Sequence, residues 1–535
     1  MIRLFLAVAL LGLALPIQAA TYAVVIGIDD YAHFSDLEGA VNDAEDIASV
    51  IRGRGGDVML ITDQQATRSN IVNAFRTQAA KASDGDVLIL TYAGHGVQLP
   101  ESLIGDEVDG MDENFVLHGF AEAGPGVGER LRDNDLASLF MEVPDGVTVL
   151  FVADSCHSGT MTRLPFEGAE LGKTRFLELG PIEEDPLPAP EERSFQIDGS
   201  GLPHVVFAAA ARDNEQTPEV LIDGERRGAL SWSIARALEG VADGGDGQTT
   251  MTDLREFVRA SVRGFSGARQ TPDVVFEIGS RETDNLSTLL SPAGKDQEVE
   301  SEAVPPKPAR PLAPGPTPAL FILGEATADL TALSDVAEQV EDEEQAALVW
   351  NVAEKRLVDR VSADLIAEVN SPADVAAAIT SWRAIFGLVR WTPTRAFEMR
   401  LQEGDQRHML GQKVTILVSP ASAGPAKGHL TLVNLASGGE VQYIYPSEKS
   451  VEKGKDVIDR GADDKTFGPS KVSEPVGKDT LIGVITASPP KELRSALRSL
   501  NGQAAPEKVL ALLQTHASDP ETARLSVLPI HTARP

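Results

Sequence analysis

Val87-Leu88-Ile89-Leu90-Thr91-Tyr92-Ala93-Gly94-His95-Gly96 and Val147-Thr148-Val149-Leu150-Phe151-Val152-Ala153-Asp154-Ser155-Cys156-His157-Ser158-Gly159 are the two stretches whose reading decides the fold. Each opens with an unbroken apolar run, the pattern of a strand buried on both faces in a parallel sheet. Each then breaks at a glycine-bearing turn that carries a reactive side chain. In open α/β sheets the carboxyl ends of strands are where ligands bind. His95 and Cys156 therefore read as a base and a thiol nucleophile brought to one rim.

Outward from these strands the alternation continues. Tyr22–Ile28, Val58–Ile61 and Val205–Ala210 read as further strands. Residues Asn42–Arg52, Ser69–Ala82, Asn134–Met141, Ser231–Gly240 and Thr252–Arg263 carry apolar residues at helical spacing. Strand–helix alternation predicts an α/β fold, a mostly parallel sheet flanked by helices, over residues 21–285. Two stretches read as long loops: the glycine- and acid-rich Gly94–Gly128, and Thr160–Pro203, which is polar and rich in Pro and Glu.

A chain of 535 residues exceeds one hydrophobic core. Residues 290–318 hold eight prolines and read as a stiff linker. Ala, Leu, Val and Glu at helical spacing predict a helical segment over 319–392. Four apolar runs, including Val414–Val418 and Val441–Tyr445, predict a small β-rich accessory domain over 393–490, and a helix with a polar tail closes the chain over 491–535. No catalytic cluster shows in this half, whose ligand the sequence does not name.

Residues 1–20 run from Arg3 through an apolar stretch to Pro16 and Ala19-Ala20, the form of a signal peptide cleaved after Ala19 or Ala20. The apolar run is shorter than the ~20 residues that span a bilayer, so export without stable membrane insertion is expected, to a bacterial periplasm or the cell exterior. A formal charge of −33 excludes a nucleic-acid surface. Cys156 is the sole cysteine, so no internal disulfide is available, and a lone thiol in an oxidising compartment points to chemistry.

The motifs resemble those of the caspase-like cysteine peptidases, caspase–hemoglobinase in fold, and within them the metacaspase and bacterial orthocaspase branch. The resemblance covers Tyr22 to Ile278. It rests on Ala23–Asp29, Leu37–Ala44, the Gly94-His95-Gly96 turn, Gly105–Glu113 and Asp154–Gly159. It implies a cysteine endopeptidase with His95 and Cys156 as catalytic pair and the backbone N–H groups of Gly96 and Cys156 as oxyanion hole. Asp43 and Asp154 are the implied acidic pocket, selecting Arg or Lys at P1, the residue on the acyl side of the cut bond, in peptide or protein substrates. Plainer roles compete: a helix cap for Asp43, a turn-fixing carboxylate for Asp154, an ordinary loop position for His157. The family often has Ser where this chain has Ala93, which removes one pocket hydrogen bond.

In the family the loop after the nucleophile is cut autocatalytically, and here it offers Arg163, Lys173, Arg175 and Arg193. Many metacaspases are calcium-activated. No cofactor is required by the dyad chemistry, but Asp106, Asp109, Asp112 and Asp133, with Glu107 and Glu113, are candidate Ca²⁺ ligands against the plainer reading of a solvated acidic loop. Arg163, where the family places another acidic ligand, counts against the metal. The C-terminal half resembles a β-rich domain of unknown function attached to exported bacterial caspase-like proteins. The alternative function is a non-catalytic scaffold; intact His95 and Cys156 disfavour it.

Overall fold

The computed structural model describes residues 19–103, 110–156, 174–177, 179, 182, 186–190, 202–211, 215, 217–222, 224–242, 249–266, 270–275, 312–325, 329–360, 364–391, 397–404, 408–419, 427–459, 463–519 and 522–534. The first half is built from strands β1 (Thr21–Gly27), β2 (Asp57–Thr62), β3 (Val87–Ala93), β4 (Gly96–Pro100), β5 (Met111–Val116), β6 (Arg130–Arg132), β7 (Thr148–Asp154), β8 (Val205–Ala209), β9 (Val220–Ile222), β10 (Glu225–Arg227) and β11 (Asp273–Val275). Helices α1 (Ala40–Gly53), α2 (Arg68–Ala79), α3 (Asp133–Met141), α4 (Ala229–Leu238) and α5 (Met251–Phe265) alternate with them. A six-stranded sheet in the order β11-β8-β7-β3-β1-β2 forms the centre, parallel except for β11.

The central strands alternate between two cores. Ala23, Val25, Val87, Ile89, Leu150 and Val152 face the layer of α1, α4 and α5. Their neighbours Val24, Ile26, Leu88, Leu90, Val149 and Phe151 face α2 and α3. Period-two alternation with both faces apolar is what turns the sequence runs into central strands. Local signals set the helix starts: Thr67 Oγ1 accepts the Asn70 N–H at 3.2 Å, and Thr250 with Asp253 forms a reciprocal capping box.

Gly94–Gly128 is not the loop its composition predicts. Residues on both sides of 104–109 fold into a small antiparallel sheet, β4-β5-β6. Its polar residues point inward and satisfy one another. Arg130, 2% exposed, donates from Nε to Asn114 Oδ1 at 2.9 Å, and Arg132 pairs with Asp135 at 3.0 Å. Buried charge in paired form defeats a reading based on polarity.

The C-terminal half also departs from expectation. Residues 319–371, expected to be helical, form short strands at Ala319–Leu323, Glu338–Val340, Leu348–Asn351, Arg356–Asp359 and Leu365–Glu368; among the described residues there the only long helix is α6 (Pro372–Trp391). The expected polar tail ends in the strand Ala523–Ala533, which pairs along its length with Gly477–Thr486. All these strands belong to one eleven-stranded mixed sheet that also takes in Lys427–Leu435 and Val441–Tyr445, beside a three-stranded sheet. Two helices, Lys491–Ser499 and Pro506–His516, replace the single one expected.

The described end of the proline-rich stretch is docked rather than free: Gly315 N–H donates to Arg383 O at 2.7 Å and Leu312 N–H to Gln514 Oε1 at 2.6 Å. Among the described residues no helix is long and apolar enough to cross a membrane. The leader over residues 1–18 lies outside them.

The two halves share one apolar core. Phe386 of α6 packs on Phe265 of α5, ring centroids 5.6 Å apart, within a cluster that runs from Ile47 and Trp232 to Leu435 and Leu513. Truncating a buried aromatic there removes apolar contact from both halves at once. Phe386→Ala is expected to cost about 3–5 kcal/mol, read as a lowered urea midpoint; a loss below ~1 kcal/mol would show that the halves do not share that core.

Candidate active site

Ala93 and Asp154 are Cα partners at the ends of the adjacent parallel strands β3 and β7. His95 and Cys156 lie two residues beyond that pair, so both leave the sheet at the same level from strands about 4.8 Å apart. Each is 1% exposed. His95 is fixed on several sides. Its backbone N–H donates to Tyr31 Oη at 2.8 Å, its carbonyl accepts from Tyr92 Oη at 2.6 Å, and the Tyr31 ring lies 4.6 Å from the imidazole. His95 Nε2 is 2.9 Å from the Ser35 carbonyl. A carbonyl only accepts, so Nε2 carries the proton and, in the neutral ring, Nδ1 holds the basic lone pair.

Arg175, from the loop that follows the nucleophile, occupies the space in front of this pair. Its side chain is fully buried in a pit of three carboxylates. Nη2 lies 2.6 Å from Asp43 Oδ2 and 3.2 Å from Glu219 Oε1, and Nη1 lies 3.1 Å from Asp154 Oδ1. Its carbonyl oxygen accepts two backbone N–H bonds, from Gly96 at 2.9 Å and Cys156 at 3.2 Å. Its own N–H donates to Thr217 O at 3.0 Å, and Thr174 bridges antiparallel to Pro218. Beyond Arg175 the chain runs parallel to β4, with Leu177 N–H on Gly96 O at 3.1 Å. Residues 174–177 are thus laid out as an extended peptide with one carbonyl in a pair of N–H donors and one cationic side chain in an acidic pit. Two preorganised N–H groups aimed at one carbonyl oxygen are the arrangement that stabilises charge developing on it.

The pit is built from distant segments. Asp43 sits in the first turn of α1 and also accepts the Gly228 N–H at 2.7 Å; Asp154 ends β7 and accepts the Ser231 N–H at the start of α4 at 2.8 Å. Gly228 forms the wall: a Cβ there would stand inside contact distance of Asp154 Oδ2 and Arg175 Nη1. Asp43 is not the cap of α1, whereas Asp154 does meet a free N–H at the start of α4. The cap of α1 comes from Asp29, whose carboxylate accepts the Ala40 and Val41 N–H groups at 2.8 and 3.3 Å. Burial, with Glu219 nearby, pushes Asp29 up to about 6. Burial also pushes Asp43 well above the usual carboxylate range, Arg175 opposing and Asp154 adding to the rise. Although burial works against the charge of Arg175, Asp154, Asp43 and Glu219 together hold it firmly protonated.

Sequence reasoning missed Glu219, Tyr31, Gly228 and the Ser35 carbonyl. Glu219 follows Thr217-Pro218 in a stretch without periodicity, and a backbone carbonyl carries no side-chain signal at all. His157, Arg163, Lys173 and Arg193 lie outside the described residues, as do Asp106, Glu107 and Asp109. Asp112 is buried and accepts the Ser102 N–H at 2.7 Å, and Asp133 accepts the Asn134 N–H at 2.8 Å. Among the described residues no three His, Cys, Asp or Glu side chains form a group that could hold a metal.

Residues 20–281, just under half the chain, match the family described as the caspase domain. This first half is thus similar to a caspase domain. Metacaspase-1 of Saccharomyces cerevisiae strain YJM789 is 27% identical over 258 residues, covering 40% of this chain and 58% of that protein. Metacaspase-1 of Meyerozyma guilliermondii is 32% identical over 274 residues, covering 44% and 62%. The chain therefore spans less than two thirds of the length of these relatives. Among solved structures, a Geobacter sulfurreducens protein aligns at 22% identity and a TM-score of 0.35 over 48% of this chain and 92% of its own. Caspase-1 of Spodoptera frugiperda aligns at 12% identity and a TM-score of 0.30 over 49% and 90%.

In the folded first half the seated segment lies over a buried thiol. Burial pushes Cys156 up to about 11, against the pull of the Thr217 N–H, 2.6 Å from Sγ, and of Arg175. At pH 8 about 10⁻³ of the thiol is thiolate. Alkylation of the intact chain by iodoacetamide is expected to be slow at pH 8 and to rise roughly tenfold per pH unit through pH 10. Gly228→Ala, which crowds Arg175 out of the pit, should speed it at pH 8; equal rates for the two proteins would contradict the seal.

Proposed function

We propose that the chain is an exported cysteine endopeptidase that cuts after Arg or Lys through a Cys156–His95 dyad and processes itself between Arg175 and Phe176. The observation that carries this is the seating of Arg175: guanidinium among Asp43, Asp154 and Glu219, carbonyl on the Gly96 and Cys156 N–H groups. Such a segment is a substrate supplied in cis. Asp43 and Asp154, argued from the sequence as the cation-binding pair, are joined by Glu219. Planar Arg matches several carboxylates at once, whereas Lys offers a point charge, so Arg is the better P1 residue.

His95 and Cys156 would supply the chemistry. His95 Nδ1 takes the proton of Cys156, and Sγ attacks the carbonyl carbon of the P1 residue. The carbonyl π pair moves onto oxygen, where the N–H groups of Gly96 and Cys156 stabilise the negative charge. Collapse breaks the C–N bond, His95 returns its proton to the leaving amine, and an acyl-enzyme remains. Water, deprotonated by His95, then attacks the thioester and releases the carboxylic acid with Cys156 restored. In self-processing the acyl product ends at Arg175 and the new amino terminus is Phe176.

Export rests on the leader-like residues 1–20. Calcium activation rests only on the acidic residues from Asp106 to Asp133 and is tested by running the assay with and without the ion. The rival reading, a non-catalytic scaffold, draws on the sealed thiol of the uncleaved chain. One experiment separates these readings: a fluorogenic panel with Arg, Lys or Asp at P1. Wild type is expected to turn over Arg best, Lys less and Asp not at all, and Cys156→Ala to lose roughly 10³-fold or more. Arg175→Ala should abolish the cut at that site, read by mass spectrometry. Turnover after Asp but not Arg would overturn the pocket, and activity surviving in Cys156→Ala would overturn the mechanism.

A further inference from the structure

The acidic pit is held from outside the caspase domain. Glu219 accepts the backbone N–H groups of Glu38 at 2.8 Å and Gly39 at 2.9 Å, so the loop between β1 and α1 sets the position of its carboxylate. The side chain of Glu38 leaves the domain: its Oε2 meets Arg360 Nη2 of the C-terminal half at 2.9 Å. Arg360 is itself anchored, donating from Nε to Ala346 O at 2.7 Å and from its backbone N–H to Ala347 O at 3.1 Å.

The opposite wall has a matching tie. Arg226 of β10 stands two residues before Gly228, whose N–H binds Asp43, and its Nη1 lies 3.4 Å from Asp359 Oδ1. The two walls also touch: a Cβ on Gly39 would stand 2.8 Å from the Arg226 carbonyl. Two adjacent residues of one accessory strand end, Asp359 and Arg360, therefore grip the two loops that place Asp43 and Glu219. Leu221 of β9 adds an apolar contact to the accessory cluster of Trp350, Leu357 and Ile366. Asp359 lines one cavity with Leu221, Phe265 and Phe386, so its ion pair borders the apolar seam that joins the halves. The Glu38–Arg360 pair is partly exposed and adds little to stability, so its consequence is geometric, whereas the Arg226–Asp359 pair is largely buried.

We propose that the C-terminal half is a positioning element of the P1 pit, with Asp359 and Arg360 fixing Glu219 and Asp43 and thereby setting affinity for a cationic P1 side chain. This builds on the Arg/Lys reading above. Arg360 touches no reacting atom, so it acts on binding more than on the chemical step.

The test uses the full chain. Arg360→Glu sets a carboxylate against Glu38 and is expected to raise KM for a P1-Arg peptide about tenfold with kcat within about twofold. The exchange Glu38→Arg with Arg360→Glu should restore most of that KM, which a loss of general structure would not allow. A second readout needs no turnover: in a His95→Ala background, which keeps the chain uncleaved, Arg360→Glu should loosen Arg175 and raise thiol labelling about tenfold at pH 8. Thermal unfolding of each variant is measured alongside, and Arg360→Gln with Asp359→Asn replaces the charge reversal where that variant does not fold. Unchanged KM and unchanged labelling in folded variants would overturn the proposal, as would an equal fall in kcat that the exchange fails to rescue. Wild type without turnover after Arg or Lys would defeat the underlying reading instead, and the labelling comparison would still decide whether Asp359 and Arg360 hold the pit.

Discussion

A guanidinium closed off from water among three carboxylates is the interaction on which the site depends. Burying a single charge costs several kcal/mol unless partners replace its hydration, and Arg175 is supplied with three. The balance also runs the other way. Three acidic side chains face one guanidinium, and with burial pushing Asp43 well above the usual carboxylate range, removing the cation would leave them crowded with no counter-charge. An empty pit is thus the unfavourable state, and the chain fills it with its own loop. The proposed preference for a cationic P1 side chain draws on the same imbalance.

The rest of the fold serves to keep those carboxylates together. Asp43 comes from a helix, Asp154 from a strand end and Glu219 from an irregular segment; none would be near another without the central sheet. Their orientation is set by backbone N–H groups at Gly228, Ser231, Glu38 and Gly39, rigid donors that do not lose rotamer freedom on binding. The accessory half then closes over the loops that present two of those donors. In this molecule the boundary between the first half and the accessory half does not coincide with a boundary in the packing, because Phe265 and Phe386 lie in one continuous cluster.

The elements that were legible in the sequence are those whose burial is carried by runs of apolar residues. β3 and β7 are buried at every position, and their apolar runs announce them. The elements that were misread satisfy themselves in other ways. β5 and β6 carry Asp112, Asn114, Arg130 and Arg132 inward, paired with one another or with nearby backbone, so their composition resembles a solvated loop. The strands between Ala319 and Glu368 are three to five residues long, too short to show an alternation that competes with helix-forming Ala, Leu and Glu. Their stability comes from lateral pairing across a wide sheet, which local propensity does not record.

What the sequence determined by itself was the chemistry and its address: a single thiol and a glycine-flanked imidazole, each at the end of a buried strand, with acidic residues on offer nearby. Strand polarity and period are local properties, so the placement of His95 and Cys156 at one rim followed from residues within each stretch. Only the tertiary structure decided which of several basic residues in the following loop enters the pit, that Glu219 joins it, and that Asp359 and Arg360 pair with Arg226 and Glu38 from more than a hundred residues away in the chain. Those outcomes depend on long-range approach of charged groups. Their energies exist only once desolvation and geometry are fixed, and no local pattern of residue types encodes that.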